Sequence, residues 1–217
     1  MTKTTIAAAF VALFASSASV AAPFVWGNVY TDMLINENAA QKETQIIGIE
    51  GGLSTELTEL YGFFEHNPDL ENEFGKVTLH RKVIGDFSVY AHGSMFKEGD
   101  FSENRYVLGT GYTGFSGEGY SIKPYIGGVR IDVNKCVVDD QLAFGYAGYY
   151  AVNDKTVLSS WVDARLDDDK VKAQGSVGIQ HDVLPKVYVG AFYNMSYGEQ
   201  GQKHYADSVQ LRVGYKF

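Results

Sequence analysis

Cysteine, proline and long apolar runs are all scarce in this sequence. Its 217 residues contain a single cysteine, Cys136, so no disulfide forms within one chain, and 4 prolines, so few elements are interrupted. Beyond the N-terminal region, no stretch approaches the roughly 18 uninterrupted apolar residues that indicate a membrane-spanning helix. The body of the chain is therefore expected to be neither disulfide-stabilised nor a helical membrane protein.

Positive charge is also in short supply. Lys and Arg number 18 against 26 Asp and Glu, which gives a formal net charge of -8. This argues against nucleic acid as a partner, because proteins that bind it carry a basic patch. The 5 histidines show no metal-ligand spacing and the cysteine has no second thiol, so we expect no metal and no other cofactor.

The first 21 residues have the features of an export signal. Lys3 forms a short positive region, residues 6–14 (IAAAFVALF) are apolar, and residues 19–21 (SVA) resemble a cleavage site. We expect residues 1–21 to be a signal peptide and residues 22–217 to form one barrel domain. An N-terminal membrane anchor is the alternative, but the apolar run is far shorter than the ~20 residues of a spanning helix.

What is abundant is alternation with a period of two. The stretch KVKAQGSVGIQ (170–180) places Val177 and Ile179 on one face and Lys172 on the other, and residues 209–217 (VQLRVGYKF) repeat the pattern. Such alternation predicts strands with one apolar and one polar face. The breaks between alternating stretches predict twelve strands, over residues 24–35, 44–52, 55–66, 75–84, 86–97, 103–115, 119–133, 140–152, 155–167, 170–183, 186–197 and 204–217.

Short and long connections alternate along the chain. The turn after every even-numbered strand is very short, whereas the connections after odd-numbered strands are mostly longer and acidic. This is typical of outer-membrane barrels, with short periplasmic turns and longer outer loops, and a soluble sandwich gives no reason for it. We therefore expect an all-β fold, an antiparallel transmembrane β-barrel of about 12 strands in the outer membrane of a Gram-negative cell. A secreted soluble barrel or sandwich is the alternative.

Aromatic residues fit the same expectation. Many lie near the expected strand ends, as in the interfacial girdles of such barrels. Phe217 at the end of the last strand is the kind of residue that barrel-assembly machinery recognises in this class, so that machinery is an expected partner during biogenesis. The aromatics near strand ends include Tyr112, Phe115, Tyr120, Tyr125, Tyr150 and Tyr215.

A stretch of 23 residues carries a family resemblance. Residues 44–66 (TQIIGIEGGLSTELTELYGFFEH) are similar to a region of the Tsx/OmpK-type nucleoside-specific channels, in which an acidic-Gly-Gly element, here residues 50–52, leads into a strand like 59–63 (ELYGF). The closing VGYKF is similar too. The resemblance implies a monomeric twelve-stranded porin for passive uptake of nucleosides. The outer loops are shorter than in that family, so a phage- or colicin-receptor role is not carried over.

Parity along the strands selects the candidate lumen residues. Aromatic faces would stack on bases and polar groups would bond sugar hydroxyls. The alternative for the charged residues among them is a structural ion pair. In addition, Lys123 and Tyr125 share a parity, so a bulge in the strand near Pro124 is an open alternative. The expected solute-binding residues are Trp26, Tyr30, Glu50, Glu59, Tyr61, Phe63, Arg130 and Arg212. No catalytic or metal-binding residue is among them.

Three other functions stay open at this stage. A channel for acidic oligosaccharides would need a strongly basic lumen. An outer-membrane lipid hydrolase would use His92 and Ser94, whose His-x-Ser spacing is a weak motif without a located acidic partner. A structural role would use the acidic loops to hold divalent cations against lipopolysaccharide. For the channel itself, the expected partners are nucleosides or other small solutes together with outer-membrane lipid and lipopolysaccharide.

Overall fold

Strands are the regular elements of the described chain. The computed structural model describes residues 24–36, 44–134, 136–167, 170–197 and 208–217. Within these ranges no helix is present that could cross a membrane. The predicted signal peptide, residues 1–21, lies outside the described residues. The strands are β1 (Phe24–Asn36), β2 (Thr44–Ser54), β3 (Thr58–Asn67), β4 (Asn72–Ile84), β5 (Phe87–Glu98), β6 (Phe101–Tyr112), β7 (Phe115–Gly117), β8 (Tyr120–Val133), β9 (Cys136–Asn153), β10 (Thr156–Asp167), β11 (Lys170–Leu184), β12 (Val187–Tyr197) and β13 (Ser208–Lys216).

The strands form one closed antiparallel sheet. Each long strand pairs with its neighbours in chain order, β1 pairs with β13, and β6 pairs with β8. The three-residue strand β7 pairs only with the start of β8, as a short extension in the β6–β8 connection. Twelve strands therefore close the barrel, which confirms the predicted fold. In the described part of the chain, each of the twelve long strands is therefore paired on both sides.

The strand limits differ from the predicted ones by up to four residues, at both ends of the barrel. At the end with the short turns, β3 begins at Thr58 instead of 55 and β6 ends at Tyr112 instead of 115. The opposite end differs as well. Strand β4 begins at Asn72 instead of 75, and β9 begins at Cys136 instead of 140. The connections at this end between β5 and β6, and between β8 and β9, are two residues long, so the expectation of mostly longer connections here is wrong for these two. Residues 72–74 and 136–138, which were read as loop, continue the backbone pairing.

The two faces of the sheet have opposite character. Apolar side chains project outward and remain exposed, among them Val29, Ile49, Leu108, Ile126, Val177, Ile179, Leu211 and Val213. Polar and charged side chains point inward and are buried, among them Asn28, Asp32, His80, Arg105, Asn194 and Arg212. A protein surrounded by water places these two classes the other way round. The lumen thus holds the polar side chains of the candidate site, together with an apolar cluster that includes Val107, Val129 and Ile131.

Candidate functional site in the barrel lumen

The closing seam of the barrel carries a buried charge cluster. Arg212 on β13 donates two hydrogen bonds of 2.8 Å to the carboxylate of Asp32 on the paired strand β1. The same guanidinium lies 3.8 Å from Glu50 and 3.5 Å from Glu65. One cation therefore faces three carboxylates, and the bidentate geometry with Asp32 is the strongest arrangement of the three.

Aromatic rings clamp Arg212 from two sides. The guanidinium lies 3.5 Å from the ring centre of Tyr30 and 4.8 Å from that of Phe192. Tyr30 also donates a 2.9 Å hydrogen bond to Glu65. These contacts combine cation–π attraction with charge pairing, so the position of the guanidinium is closely defined.

Glycines across the strand from Tyr30 and Phe192 let these two rings lie flat against the barrel wall. A Cβ on Gly48 would be 2.3 Å from the ring of Tyr30, and a Cβ on Gly178 would be 2.1 Å from the ring of Phe192. Each glycine is the cross-strand partner of its ring. A ring covering a cross-strand glycine is a recurrent device of β-proteins, and here it keeps bulky side chains against the sheet.

Four aromatic rings form a ladder along one wall. Trp26 stacks on Tyr61 with 5.9 Å between ring centres, Tyr61 lies 6.1 Å from Phe63, and Phe63 lies 5.2 Å from Phe74. Trp26 stands near the start of β1, at the end with the short turns, and Phe74 near the start of β4, at the opposite end. All four rings are half-buried. The ladder thus offers a series of π-faces along the lumen.

Hydrogen-bonding groups accompany the ladder. Tyr61 donates a 3.0 Å hydrogen bond to Glu50, and Asn28 donates a 2.9 Å hydrogen bond to the other oxygen of the same carboxylate. Carboxylate, amide and phenol groups therefore lie beside the rings, where they could bond hydroxyl groups of a stacked solute.

A second polar cluster occupies the middle of the lumen. Lys76 on β4 forms an ion pair with Asp163 on β10, and Tyr125 on β8 donates a 2.7 Å hydrogen bond to the same carboxylate. The ring of Tyr125 stacks on Tyr90 at 4.1 Å. Since β4 and β10 are not neighbours in the sheet, the pair joins facing walls. Lys123 on β8 makes a similar cross-lumen ion pair with Glu59 on β3.

A small cavity adjoins this cluster. It has a volume of about 20 Å³ and is lined by polar side chains, among them His92, Arg105 and Asp163, together with apolar ones, among them Val107 and Val129. This volume holds about one water molecule. The lumen is therefore filled in part by its own side chains at this point, in contrast to the wide aqueous channel of larger barrels.

Seven of the eight predicted solute-binding residues face this lumen. Trp26, Tyr61 and Phe63 belong to the aromatic ladder. Tyr30, Glu50 and Arg212 belong to the seam cluster, and Glu59 is half of a cross-lumen ion pair. The structure thus brings most of them together on the wall formed by β1, β2, β3 and β13; their binding of solute stays a prediction.

Arg130 does not face the lumen, contrary to the parity prediction. Its side chain is 57% exposed, and its cross-strand partner Tyr106 is 52% exposed on the outer face. Its chain neighbours Val129 and Ile131 are the residues that turn inward. The bulge considered near Pro124 is not there. The register shift between β8 and β9 falls between Val129 and Ile131, where the extra residue lies on β9, so odd-numbered residues of β8 face the lumen on both sides of the shift.

Several lumen residues were not predicted from the sequence. Phe74 falls in a stretch read as a loop, and Tyr125 was read as a girdle aromatic although it is 7% exposed inside the barrel. Lys76 could have been found, because it alternates with Thr78 and His80 in the stretch FGKVTLHRKV. Glu65 carries the same parity signal on β3. The partner of each charge, however, has no signature in the sequence.

The His-x-Ser pair considered for lipid hydrolysis lies on the inner face of the barrel. His92 lies inside the barrel, 8% exposed, with its Nδ1 atom 3.4 Å from the hydroxyl of Tyr90. Ser94 shares its strand and its face. A lipid at the outer face would meet Ala91 and Gly93 instead. Among the described residues, no group of three or more His, Cys, Asp or Glu side chains could hold a metal ion.

Comparisons with known proteins support the fold. No family model matches the sequence, and no curated protein matches it either. Among solved structures, the NanC porin in a rhombohedral crystal form superposes with a TM-score of 0.55 at 9% identity, covering 88% of this chain and 98% of that one. The KdgM porin in complex with disordered oligogalacturonate gives a TM-score of 0.52 at 9% identity over the same shares of both chains. At these identities the likeness shows the fold alone, which is that of a β-barrel porin.

Proposed function

We propose that this protein is an outer-membrane channel through which small solutes diffuse passively. The observation that carries the proposal is the inverted character of the barrel, with an exposed apolar exterior around a lumen of aromatic rings and charged pairs. An apolar exterior suits lipid, and a polar interior suits a passage for solutes. The solved porins with this fold support the same assignment, as proteins of similar architecture.

The proposed solutes are nucleosides. The aromatic ladder supplies π-faces on which a base stacks, a contact that contributes about 1–3 kcal/mol per base. Glu50, Asn28 and Arg212 lie beside it and could bond the sugar hydroxyls. This agrees with the resemblance of residues 44–66 to nucleoside-specific channels. Transport also requires that each contact is weak enough to release the solute, which a series of half-buried rings provides.

An oligosaccharide is the second candidate solute. The KdgM structure contains oligogalacturonate in that porin, and sugar rings also stack on aromatic faces. In this chain, however, Lys76, Lys123 and Arg212 are each paired with a carboxylate. A negatively charged sugar would have to displace those carboxylates, so neutral solutes are favoured.

In this function residues 1–21 direct export as a signal peptide and are then cleaved, and the barrel-assembly machinery assembles the barrel. It then lies as a monomer in outer-membrane lipid and lipopolysaccharide. No enzymatic step is proposed: His92 and Ser94 line the lumen, away from lipid substrates.

Single-channel conductance in a planar bilayer tests the proposal. Small steps that adenosine or thymidine blocks in a saturable way, and that galactose does not, would support a nucleoside channel. Block by sugar oligomers alone would replace nucleosides with the second candidate. A folded, heat-modifiable barrel that produces no steps at any salt concentration would overturn the channel function.

A further inference from the structure

The middle of the lumen is divided by one ion pair. Lys76 belongs to β4 and Asp163 to β10, and four strands separate them on the shorter way round the barrel: β5, β6, β8 and β9. Their side chains meet because they project from facing walls. Both are nearly enclosed, with side-chain exposures of 11% and 12%. A solute that travels along the barrel axis must therefore pass or part this pair.

The pair is held in place by aromatic neighbours. The ammonium of Lys76 lies 4.9 Å from the ring centre of Trp161. On the other side, Tyr125 donates its 2.7 Å hydrogen bond to Asp163 while its ring stacks on Tyr90. Aromatic rings thus surround the two charges. Such a mixture of apolar and polar groups is typical of a binding site.

Parting the pair has different consequences for different solutes. A neutral solute with adjacent hydrogen-bond acceptors and donors can bond Lys76 and Asp163 at the same time, so neither charge loses a partner. An anion satisfies Lys76 and leaves Asp163 buried without its counter-ion, and a cation does the reverse. An enclosed charge without a partner is strongly unfavourable.

We propose that Lys76 and Asp163 are specificity-determining residues of the channel. Their ion pair narrows the middle of the lumen and parts most readily for neutral solutes that present acceptors and donors side by side, as sugar hydroxyls do, so solutes with a net charge pass less readily. The proposal rests on the channel function proposed above and deepens it, because it names the charge class of the solute.

Ion selectivity tests the role of the pair without depending on which solute is natural. The variants are Lys76→Met, Asp163→Asn and the two combined, and the readout is the permeability ratio of K⁺ to Cl⁻ in a KCl gradient across a planar bilayer. Lys76→Met leaves a carboxylate in the passage, so the ratio should rise about 25-fold, which combines about fivefold from the attraction of K⁺ and about fivefold from the repulsion of Cl⁻ by one unit charge at ~4 Å in a water-like dielectric. Asp163→Asn should lower it by a similar factor.

The double variant supplies the decisive comparison. It removes both charges, so the permeability ratio should return close to the wild-type value while the conductance exceeds that of the wild type. Arg130→Met is the matched control, since it removes a cation from the outer face of the barrel and should leave the permeability ratio unchanged. Heat-modifiable migration in gels confirms that each variant has formed a barrel.

The outcomes separate this inference from the channel function itself. Opposite shifts in the single variants, cancelled in the double variant, support the inference. A conducting wild type with the same ratio in every folded variant overturns it and leaves the channel standing. If a single variant does not assemble, the double variant is the test. A double variant whose conductance is no greater than that of the wild type overturns the inference. A folded wild type that conducts no ions overturns the channel function and, with it, this inference.

Discussion

Arg212 and Asp32 join the first and last described strands of the barrel through two parallel hydrogen bonds of 2.8 Å. The two residues are direct cross-strand partners in the β1–β13 pairing. Their side chains are 8% and 0% exposed, so the pair is enclosed at the seam where the sheet closes on itself. Closure of the barrel and completion of this ion pair are therefore one structural event.

The charge balance around Arg212 predicts unequal effects of removing either partner. Arg212→Met leaves three carboxylates without their cation and should lower the free energy of unfolding by about 3–5 kcal/mol, as expected for a broken buried pair. Asp32→Asn should cost less, because Glu50 and Glu65 still compensate the guanidinium. Urea titration of the barrel in lipid vesicles, followed by tryptophan fluorescence, measures both. A larger loss for Asp32→Asn would contradict this account of the cluster.

The aromatic ladder predicts that one ring affects solute block while its sequence neighbour does not. Phe63→Ala removes a lumen ring and should weaken nucleoside block by about fivefold to a hundredfold, the equivalent of the ~1–3 kcal/mol of one stacking contact. Phe64→Ala is the matched control, because Phe64 projects from the outer face and is 38% exposed. Dose–response curves of channel block give both values. Equal curves for the two variants would remove the ladder from the solute path.

The flat placement of Tyr30 depends on Gly48. In Gly48→Ala the new Cβ would lie 2.3 Å from the Tyr30 ring, so the ring must leave the wall and give up its contacts with Arg212 and Glu65. We expect a loss of about 1–3 kcal/mol in unfolding free energy, typical of overpacking. Gly93→Ala is the control, because a Cβ there meets no atom within 4 Å. Similar urea midpoints for the two variants would show that Tyr30 moves without cost.

Two outward-facing valines on one strand test whether the apolar exterior faces lipid. Val177 is the middle residue of β11 and is 46% exposed on the outer face, whereas Val183 is 51% exposed near the end of the same strand. In a membrane, Val177→Arg should cost about 2–4 kcal/mol and Val183→Arg about 0–1 kcal/mol, because the cost falls toward the interface. Unfolding in lipid vesicles measures the difference. Two small and equal costs would favour a soluble barrel.

Alternation made the fold predictable from the sequence. Each strand has one environment of lipid or outer surface and one environment of polar lumen, so a period of two appears wherever the backbone is paired, as in KVKAQGSVGIQ. The errors fall where that contrast disappears. The first residues of β4 (Asn72, Glu73 and Phe74) and of β9 (Cys136, Val137 and Val138) do not alternate between polar and apolar, and they were therefore read as loop.

Parity placed seven of its eight candidate residues in the lumen correctly but could not pair the charges. Lys76 and Asp163 are 87 residues apart, and Arg212 and Asp32 are 180 residues apart. Which charges meet depends on the register of the strands and on how closely facing walls approach, and both are set by all the strands together. Arg130 shows a further limit of parity, because its position depended on whether β8 carries a bulge near its proline, and the register there is continuous.

Alternation of apolar and polar residues is enough to specify an antiparallel barrel of about twelve strands with an apolar and a polar face, because alternation is a local property of each strand. What the polar face does depends on contacts that form when the barrel closes. Closure of β1 onto β13 encloses Arg212 with its carboxylates, and the approach of β4 to β10 places an ion pair across the passage. Contacts across a lumen join residues far apart in the chain, and no local pattern records them.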